Sequence, residues 1–478
     1  MIQFINPTIL KIKKKMIIMI GLVLLLVISQ YPLLSPTNDS IHDEESNPGG
    51  IQIDDGLDYT SCSDPTVRVD SNGTIYAVWK DSRLINETQY ISGYELQFGN
   101  IFFSKSINGG RSFEPNKNIN LYQENIAFTQ PIMAIDELDY IYIGWIEFNY
   151  SYQDEVDANI YIAQSTNNGE NFSDPVLVDN GNIDVSIHQN FAMIVDKTGT
   201  IHVAFAGIPS AMMNSTINQN WDIYYTKCQR YNEPFILPLR VNDDFTQNCT
   251  QGYPSMDVDD KGNAFIVWRD NRNSGNATLY FSTIKSNNLV ISQNTRIGGD
   301  IIHINAGPAI AVFGNNIYVV WQENSLYEPL MISKSFDSGR TFSEQCQLNG
   351  VNIISCKNPQ IKLNREGVLF IVWSAAKVSD REYPYGIYYL ISYDGGKSYT
   401  KIAELSNYRI IQRSNGKSII SPQLEPSMDI TNNSIVFSYV EKRMEKYDDS
   451  NQPILGNMLT SLWSISFQKQ TFDDGTKN

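Results

Sequence analysis

Histidine and cysteine are scarce in this chain, four and five residues among 478. No Cys-x-x-C pair occurs, and His42, His188, His202 and His303 are scattered, so a cysteine- or histidine-built metal centre is not expected. His202 falls within an apolar strand pattern, where core packing is its natural role. Basic clusters are missing beyond the N-terminus and the formal net charge is −16, which removes the electrostatic footprint a nucleic-acid partner requires. Helix-period apolar stretches are also hard to find. Short runs of Tyr, Phe, Ile and Val fill the chain instead, with aromatics at 12%, and such runs read as strands. The expected class is all-β.

Lys11, Lys13, Lys14 and Lys15 precede the apolar run Met16 to Ile28, the order of an export signal. The uncharged stretch continues to Asn38 without a small-x-small cleavage site, which favours a retained anchor over a removed signal. The expected division is residues 1–34 as signal peptide or membrane anchor, 35–50 as a flexible tether, and 51–472 as the folded domain. That places the domain outside the cytoplasm, anchored or secreted, touching membrane only through the N-terminal segment. Sequons at Asn38, Asn72, Asn86, Asn149, Asn171, Asn214, Asn248, Asn276 and Asn432 suit a glycosylated exterior if the host glycosylates. Cys346 with Cys356, and Cys228 with Cys249, are spaced so that each pair could form a disulfide, with Cys62 left over.

Seven segments share one pattern. Asp64 opens DPTVRVDSNGTIYAVWKD; related segments begin at Gln130, Asn190, Tyr253, Gly307, Asn358 and Glu425. Each has an apolar strand, a polar turn and a second strand ending in Trp or another aromatic, and Pro opens the strand in six of them. A third and a fourth strand follow, so the unit is a four-stranded antiparallel sheet, with strands A to D. Alone it would leave both apolar faces wet, whereas a ring of such blades covers each face with a neighbour. A β-propeller of seven blades is expected, with six as the alternative. The last copy lacks a fourth strand, and Ile51-Gln-Ile53 is placed to supply it by pairing with Leu462 to Phe467, which closes the ring.

Between strands C and D, Ser335-Phe-Asp337-Ser-Gly339-Arg-Thr-Phe342 and Ser392-Tyr-Asp394-Gly-Gly396-Lys-Ser-Tyr399 fit the Asp-box pattern. Two further turns carry Asn108 and Asn167 in place of the Asp. The Asp or Asn can bond turn amides, the Gly takes a positive φ, and the aromatic plugs the blade. On these motifs the chain resembles the sialidase superfamily of Asp-box propellers (bacterial neuraminidase repeat) over nearly all of residues 51 to 470. The resemblance implies boxes on the face away from any active site. In the sialidases it also implies an arginine trio for the substrate carboxylate, a Tyr nucleophile activated by Glu, and an Asp acid/base. The family's R-I-P motif is absent; the nearest arginine is Arg68, in T-V-R-V-D.

Strand polarity puts the A–B and C–D turns on one face of the ring and the B–C loops and D–A connections on the other, the expected functional face. Asp64, Gln130, Asn190, Tyr253, Asn358 and Glu425 open the A strands there. The B–C loops begin with Lys80-Asp81-Ser-Arg83, Glu147, Arg269-Asp270-Asn-Arg272, Glu323 and Glu441. This mouth of carboxylates, arginines and amides suits a glycan or the surface of a partner protein. The W-x-D-x-R pairs Asp81/Arg83 and Asp270/Arg272 could instead bond within themselves or cap backbone. Arg68, Asp257, Lys362 and Asp429 share one position in four A strands, as an inter-blade ion set or as an arginine aimed at a ligand. D-x-D-D-x-G-N at Asp257 and D-x-N-G at Asp70 resemble calcium loops but lack the closing Glu, so turn chemistry accounts for them and no cofactor is expected. The expected function is a non-catalytic binding propeller, with an exo-acting glycoside hydrolase as the alternative.

Overall fold

The computed structural model describes residues 51–468 except 56–61, 84–88, 92–93, 97–98, 121–125, 151–155, 179–184, 210–220, 245–248, 273–276, 300–306, 326, 379–384, 407–408, 413–417, 422, 431–433 and 445–457. The expectations for residues 1–34 and 35–50 lie outside the described residues. No described helix is long and apolar enough to cross a membrane.

Among the described residues the chain forms seven four-stranded antiparallel sheets and two short hairpins. Sheet one shows the plan: A is Cys62–Val69, B is Ile75–Asp81, C is Asn100–Ser106 and D is Lys117–Asn118. The A strands of sheets two to seven are Ile126–Ile135, Val185–Val195, Gln251–Val258, Ala309–Phe313, Ile353–Leu363 and Gln423–Ile430. Neighbouring A strands touch in cyclic order, and the seventh touches the first. In sheet one, strands B (Ile75–Asp81) and C (Asn100–Ser106) are buried on both faces, because a sheet lies against each side. A large aromatic near the end of B pairs with an aromatic on C and stacks on it: Trp79 on Phe102, Trp145 on Tyr161, Trp268 on Tyr280, Trp373 on Tyr388. Such cross-strand pairs add to the area they bury.

Two details correct the reading of the sequence. Pro65 does not open its strand; it sits inside Cys62–Val69 where the register slips between Ser63 and Thr66. A proline cannot donate to the ladder, and the bulge removes the need. The cysteines are unbridged: Cys62, Cys228, Cys249 and Cys356 are buried thiols and Cys346 is exposed. Cys228 and Cys249 belong to hydrogen-bonded or packed surroundings of their own, Cys228 in an apolar cluster and Cys249 bonded to Asp244.

The C–D turns latch adjacent sheets. Ser335 Oγ donates to Asp337 Oδ1 at 2.8 Å and accepts the Gly339 amide at 2.9 Å, while Asp337 caps the Thr341 amide at 2.9 Å. Asn108, Asn167 and Asp394 make the same contacts in their turns, to the Ser112, Asn171 and Ser398 amides. Gly339 has φ +83, and a Cβ there would fall 2.1 Å from Phe281 of the preceding sheet; at Gly169 it would meet Phe103 at 2.4 Å. Phe342 and Phe172 pack edge-on against those same rings. The glycine is therefore required by both backbone and neighbour.

The ring closes where the sequence places the closure. Ile51–Gln52 pairs with strand C of sheet seven, Met458–Gln468, through Ile51 with Ser464 and Gln52 with Trp463. Ile53 then buries its side chain with Cys62, Ala77, Trp79, Phe102 and Val440, which joins sheet seven to sheet one. Losing that side chain alone costs about 2–5 kcal/mol. Deleting residues 45–56 should lower the melting temperature by several degrees in calorimetry; an unchanged transition would show that these residues do not hold the ring shut.

Candidate functional site

The two faces of the ring differ in elaboration. Most A–B turns span five residues, whereas the B–C loop of sheet one carries the hairpin Gln89–Ile91/Tyr94–Leu96 and the connection into sheet seven carries Arg409–Gln412/Ser418–Ser421. Insertions in a repeat fold gather on the face that is free of packing constraints, commonly the binding face.

At the inner rim of this face, five residues preceding a proline are held at positive φ: Asp64 (53), Gln130 (52), Tyr253 (54), Asn358 (49) and Glu425 (54). Each lies at a register shift in its A strand. A non-glycine residue in this region costs about 1–3 kcal/mol, and the bulge re-aims its side chain. Sheet three shifts register across Asn190 without such a φ, and sheet five has Gly307 at this place.

The rim residues do not behave alike. Glu425 Oε2 accepts the Asp64 amide at 2.9 Å, so this carboxylate stitches sheet seven to sheet one. Asp64 keeps a partly exposed carboxylate 3.8 Å from Lys80 Nζ. Arg269 lies 6.0 Å from the Tyr253 ring centre, and burial lowers its pKa against the pull of Tyr253. Lys357 Nζ sits 4.6 Å from the Tyr385 ring centre. Burial raises the carboxyl pKa of Glu147. The Glu441 side chain lies outside the described residues.

The W-x-D-x-R pairs form two copies of one inter-sheet lock. Asp270 is fully buried; its Oδ2 accepts Trp268 Nε1 at 3.0 Å and Arg272 Nε and Nη2 at 3.0 and 2.7 Å. Arg272 then reaches Asp243 at 2.5 Å and Asn294 at 3.1 Å, while its guanidinium lies 4.0 Å over Tyr280. Burial works against this charge, but Asp270 and then Asp243 outweigh it and raise the pKa. In sheet one Asp81, Trp79, Arg83, Asp55, Asn116 and Phe102 repeat the arrangement. Glu323 is engaged likewise, through Gln345 at 2.8 Å, which also accepts the Gly299 amide. The lock partners Asp55, Asn116, Asp243 and Asn294 went unread in the sequence. Aligning the surroundings of the two W-x-D-x-R copies would have exposed them, since each arginine has an Asp 28 or 29 residues upstream.

Arg68, Asp257, Lys362 and Asp429 gather deeper along the axis. Asp429 Oδ2 accepts the Val69 amide at 2.8 Å, and Asp257 caps Val258 and Val312 at 2.9 and 2.7 Å. Lys362 has its pKa lowered first by the charge of Arg68 and then by burial, against Asp429 and Asp257. Burial lowers the pKa of Arg68, with Asp429 opposing. Burial raises Asp257 to about 6, against Lys362 and the two amides. The inter-blade reading of this set agrees with these contacts. His202 is fully buried, its ring nitrogens 2.8 Å from Tyr225 Oη and 3.2 Å from Asp196. The calcium-like Asp259 caps Lys261 and Asn263 amides, both at 2.9 Å, which is turn chemistry.

No family model and no curated protein matches the chain. Solved structures do. An unknown-function protein from Dyadobacter fermentans aligns at 11% identity and TM-score 0.49, over 88% of this chain and 98% of that one. The phage phi92 endosialidase aligns at 11% and 0.49, over 89% and 70%. The NanB sialidase of Streptococcus pneumoniae aligns at 12% and 0.44, over 90% and 73%. The fold is a sialidase-like β-propeller of four-stranded antiparallel sheets. Among the described residues the strand pairings make seven such sheets. Tyr388 Oη donates to Glu404 Oε1 at 3.2 Å on the outer strands C and D of sheet six, away from the rim.

Arg272→Ala should destabilise by about 3–5 kcal/mol in denaturant melts, because it leaves Asp270 buried and unneutralised. The double variant Asp270→Ala/Arg272→Ala should lose less than the sum of the single variants. An Arg272→Ala protein as stable as wild type would remove the lock. The pH dependence has two opposing parts. Hydrogen bonds from the Thr341 hydroxyl and amide and from Ser335 hold Asp337 at about 2; in Asp394 partial burial is outweighed by Ser398 and Ser392, which lower it. Both fold below their unfolded values near 4, so the stability they add is present above about pH 4 and is lost as pH falls through the folded values. Asp257, folded at about 6, does the reverse: stability rises as pH falls from 7 through 6. The melting temperature should peak between about pH 4 and 6, and Asp257→Asn should raise it at pH 7.5 and flatten the rise. A wild-type melting temperature that falls from pH 7 to 5 would contradict this.

Proposed function

We propose that the chain is an extracytoplasmic, surface-displayed propeller whose B–C face binds glycan without hydrolysing it. Its C–D turns are, on this reading, Asp-boxes of the bacterial neuraminidase repeat type. The observation that carries the proposal is the strained rim, where five bulges hold Asp64, Gln130, Tyr253, Asn358 and Glu425 at positive φ beside a proline. At Glu425 the strain serves the joint to sheet one; at the other four, strain repeated at one place on one face is retained for what the side chains meet there. The rim offers what a sugar uses: carboxylate and amide groups for hydroxyls, and tyrosine rings for the apolar sugar face. A cell-surface protein could use the same groups.

Several of the arginines and acids a hydrolytic reading would draw on are committed to structural contacts, which favours binding over catalysis. Arg83, Arg272, Asp81, Asp270, Glu323 and Glu425 are engaged in contacts that hold sheets together. An exo-acting hydrolase of sialidase type is the second reading. It is favoured by Glu147, whose raised pKa suits a proton donor.

Full-length protein should bind a subset of immobilised glycans, and Tyr253→Ala should weaken that binding about ten-fold or more with the melting transition retained. Sialoside hydrolysis that Arg269→Ala abolishes would overturn the proposal. Binding confined to protein ligands would replace glycan by a partner protein.

A further inference from the structure

The face opposite the loops carries large exposed side chains. In each Asp- or Asn-containing C–D turn, the Ser and the Asp or Asn turn inward to cap backbone amides, and the residue between them points out. That residue is Ile107, Phe336 or Tyr393 in three of the four turns, 76%, 58% and 54% exposed. The fourth has Thr166 and makes the same hydrogen bonds, so the fold asks for nothing apolar there. Just beyond the glycine the same three turns carry Arg111, Arg340 and Lys397, all exposed. Leu138 and Phe313, on A–B turns of this face, are 70% and 41% exposed. A repeated sheet sets its turns at one height, so these tips end close to one plane.

The chain also enters the ring from this side. Ile51 pairs with Ser464 and Gln52 with Trp463, so the strand runs from the C–D turn face toward Asp55 and Arg83 on the B–C face. Upstream in sequence lies the polar-rich segment 35–50, and before it the apolar run from Met16 to Ile28.

We infer that the A–B/C–D turn face docks on an anionic lipid surface. Ile107, Phe336 and Tyr393 enter the interfacial layer, and Arg111, Arg340 and Lys397 meet lipid phosphates. Apolar side chains flanked by cations are the chemistry of interfacial membrane contact. Docking would hold the B–C face outward. The inference concerns a different face from the proposed glycan site and does not depend on it.

The test is hydrogen exchange by mass spectrometry on full-length protein in vesicles of phosphatidylcholine with phosphatidylglycerol, in phosphatidylcholine alone, and in neutral detergent micelles. The turn segments 106–112, 335–341 and 392–398 should exchange several-fold more slowly on the anionic vesicles than in micelles. Exchange on the B–C face should not change. Ile107→Ser/Phe336→Ser/Tyr393→Ser should abolish the slowing, with unchanged exchange in the inner strands reporting an intact fold. Turns that exchange equally in anionic vesicles and micelles overturn the inference, whether fast in both or slow in both because a second copy covers them. Equal slowing on the two kinds of vesicle overturns the roles of Arg111, Arg340 and Lys397.

Discussion

The structure depends on covering the two apolar faces of every sheet, which a ring does only if its last sheet meets its first. That seam is made twice. At the outside, Ile51–Gln52 completes sheet seven. At the axis, Glu425, Ser427 and Asp429, alternate residues of one strand, accept the amides of Asp64, Val67 and Val69 on the next. The A strand of sheet one is an edge strand whose free amides would otherwise invite pairing with another chain. Side chains of the neighbouring sheet close that edge without adding a strand.

The same requirement explains why so much charge on the loop face is structural. Asp81/Arg83 and Asp270/Arg272 tie a B–C loop to the connection arriving from the preceding sheet, and the equivalence of Asp55 and Asp243 shows that the N-terminal segment occupies the place of an ordinary fourth strand. A buried Asp beside a Trp indole and a guanidinium is stable only when all its lone pairs are met, and these two are. The latches on the opposite face, with Gly169 and Gly339 pressed against neighbouring phenylalanines, complete each joint between sheets.

The repeat, the strand order, the turn chemistry and the closing strand were legible because period-two patterns, glycine and proline report local backbone needs directly. Proline was legible as a marker but not as a bulge, since nothing in Asp64-Pro65 itself announces a register shift two residues into pairing. The disulfide expectation failed because spacing along the chain says nothing about which strands of a ring are adjacent. The roles of the candidate site residues were less legible: Glu425 and Arg272 belong to the rim in sequence and to the inter-sheet joints in space. Their partners, Asp64 at a separation of 361 residues and Asp243 at 29, are set by ring geometry.

The central claim is that the seam between sheets seven and one is a permanent joint of a closed ring. Native-state hydrogen exchange at the Val67 and Val69 amides tests it most directly. Closure predicts that both exchange only through global unfolding, with the same denaturant dependence as amides of the buried strand Ile75–Asp81. Exchange at Val67 and Val69 that is fast and independent of denaturant would mean that the ring opens there in the native state, and would contradict the account.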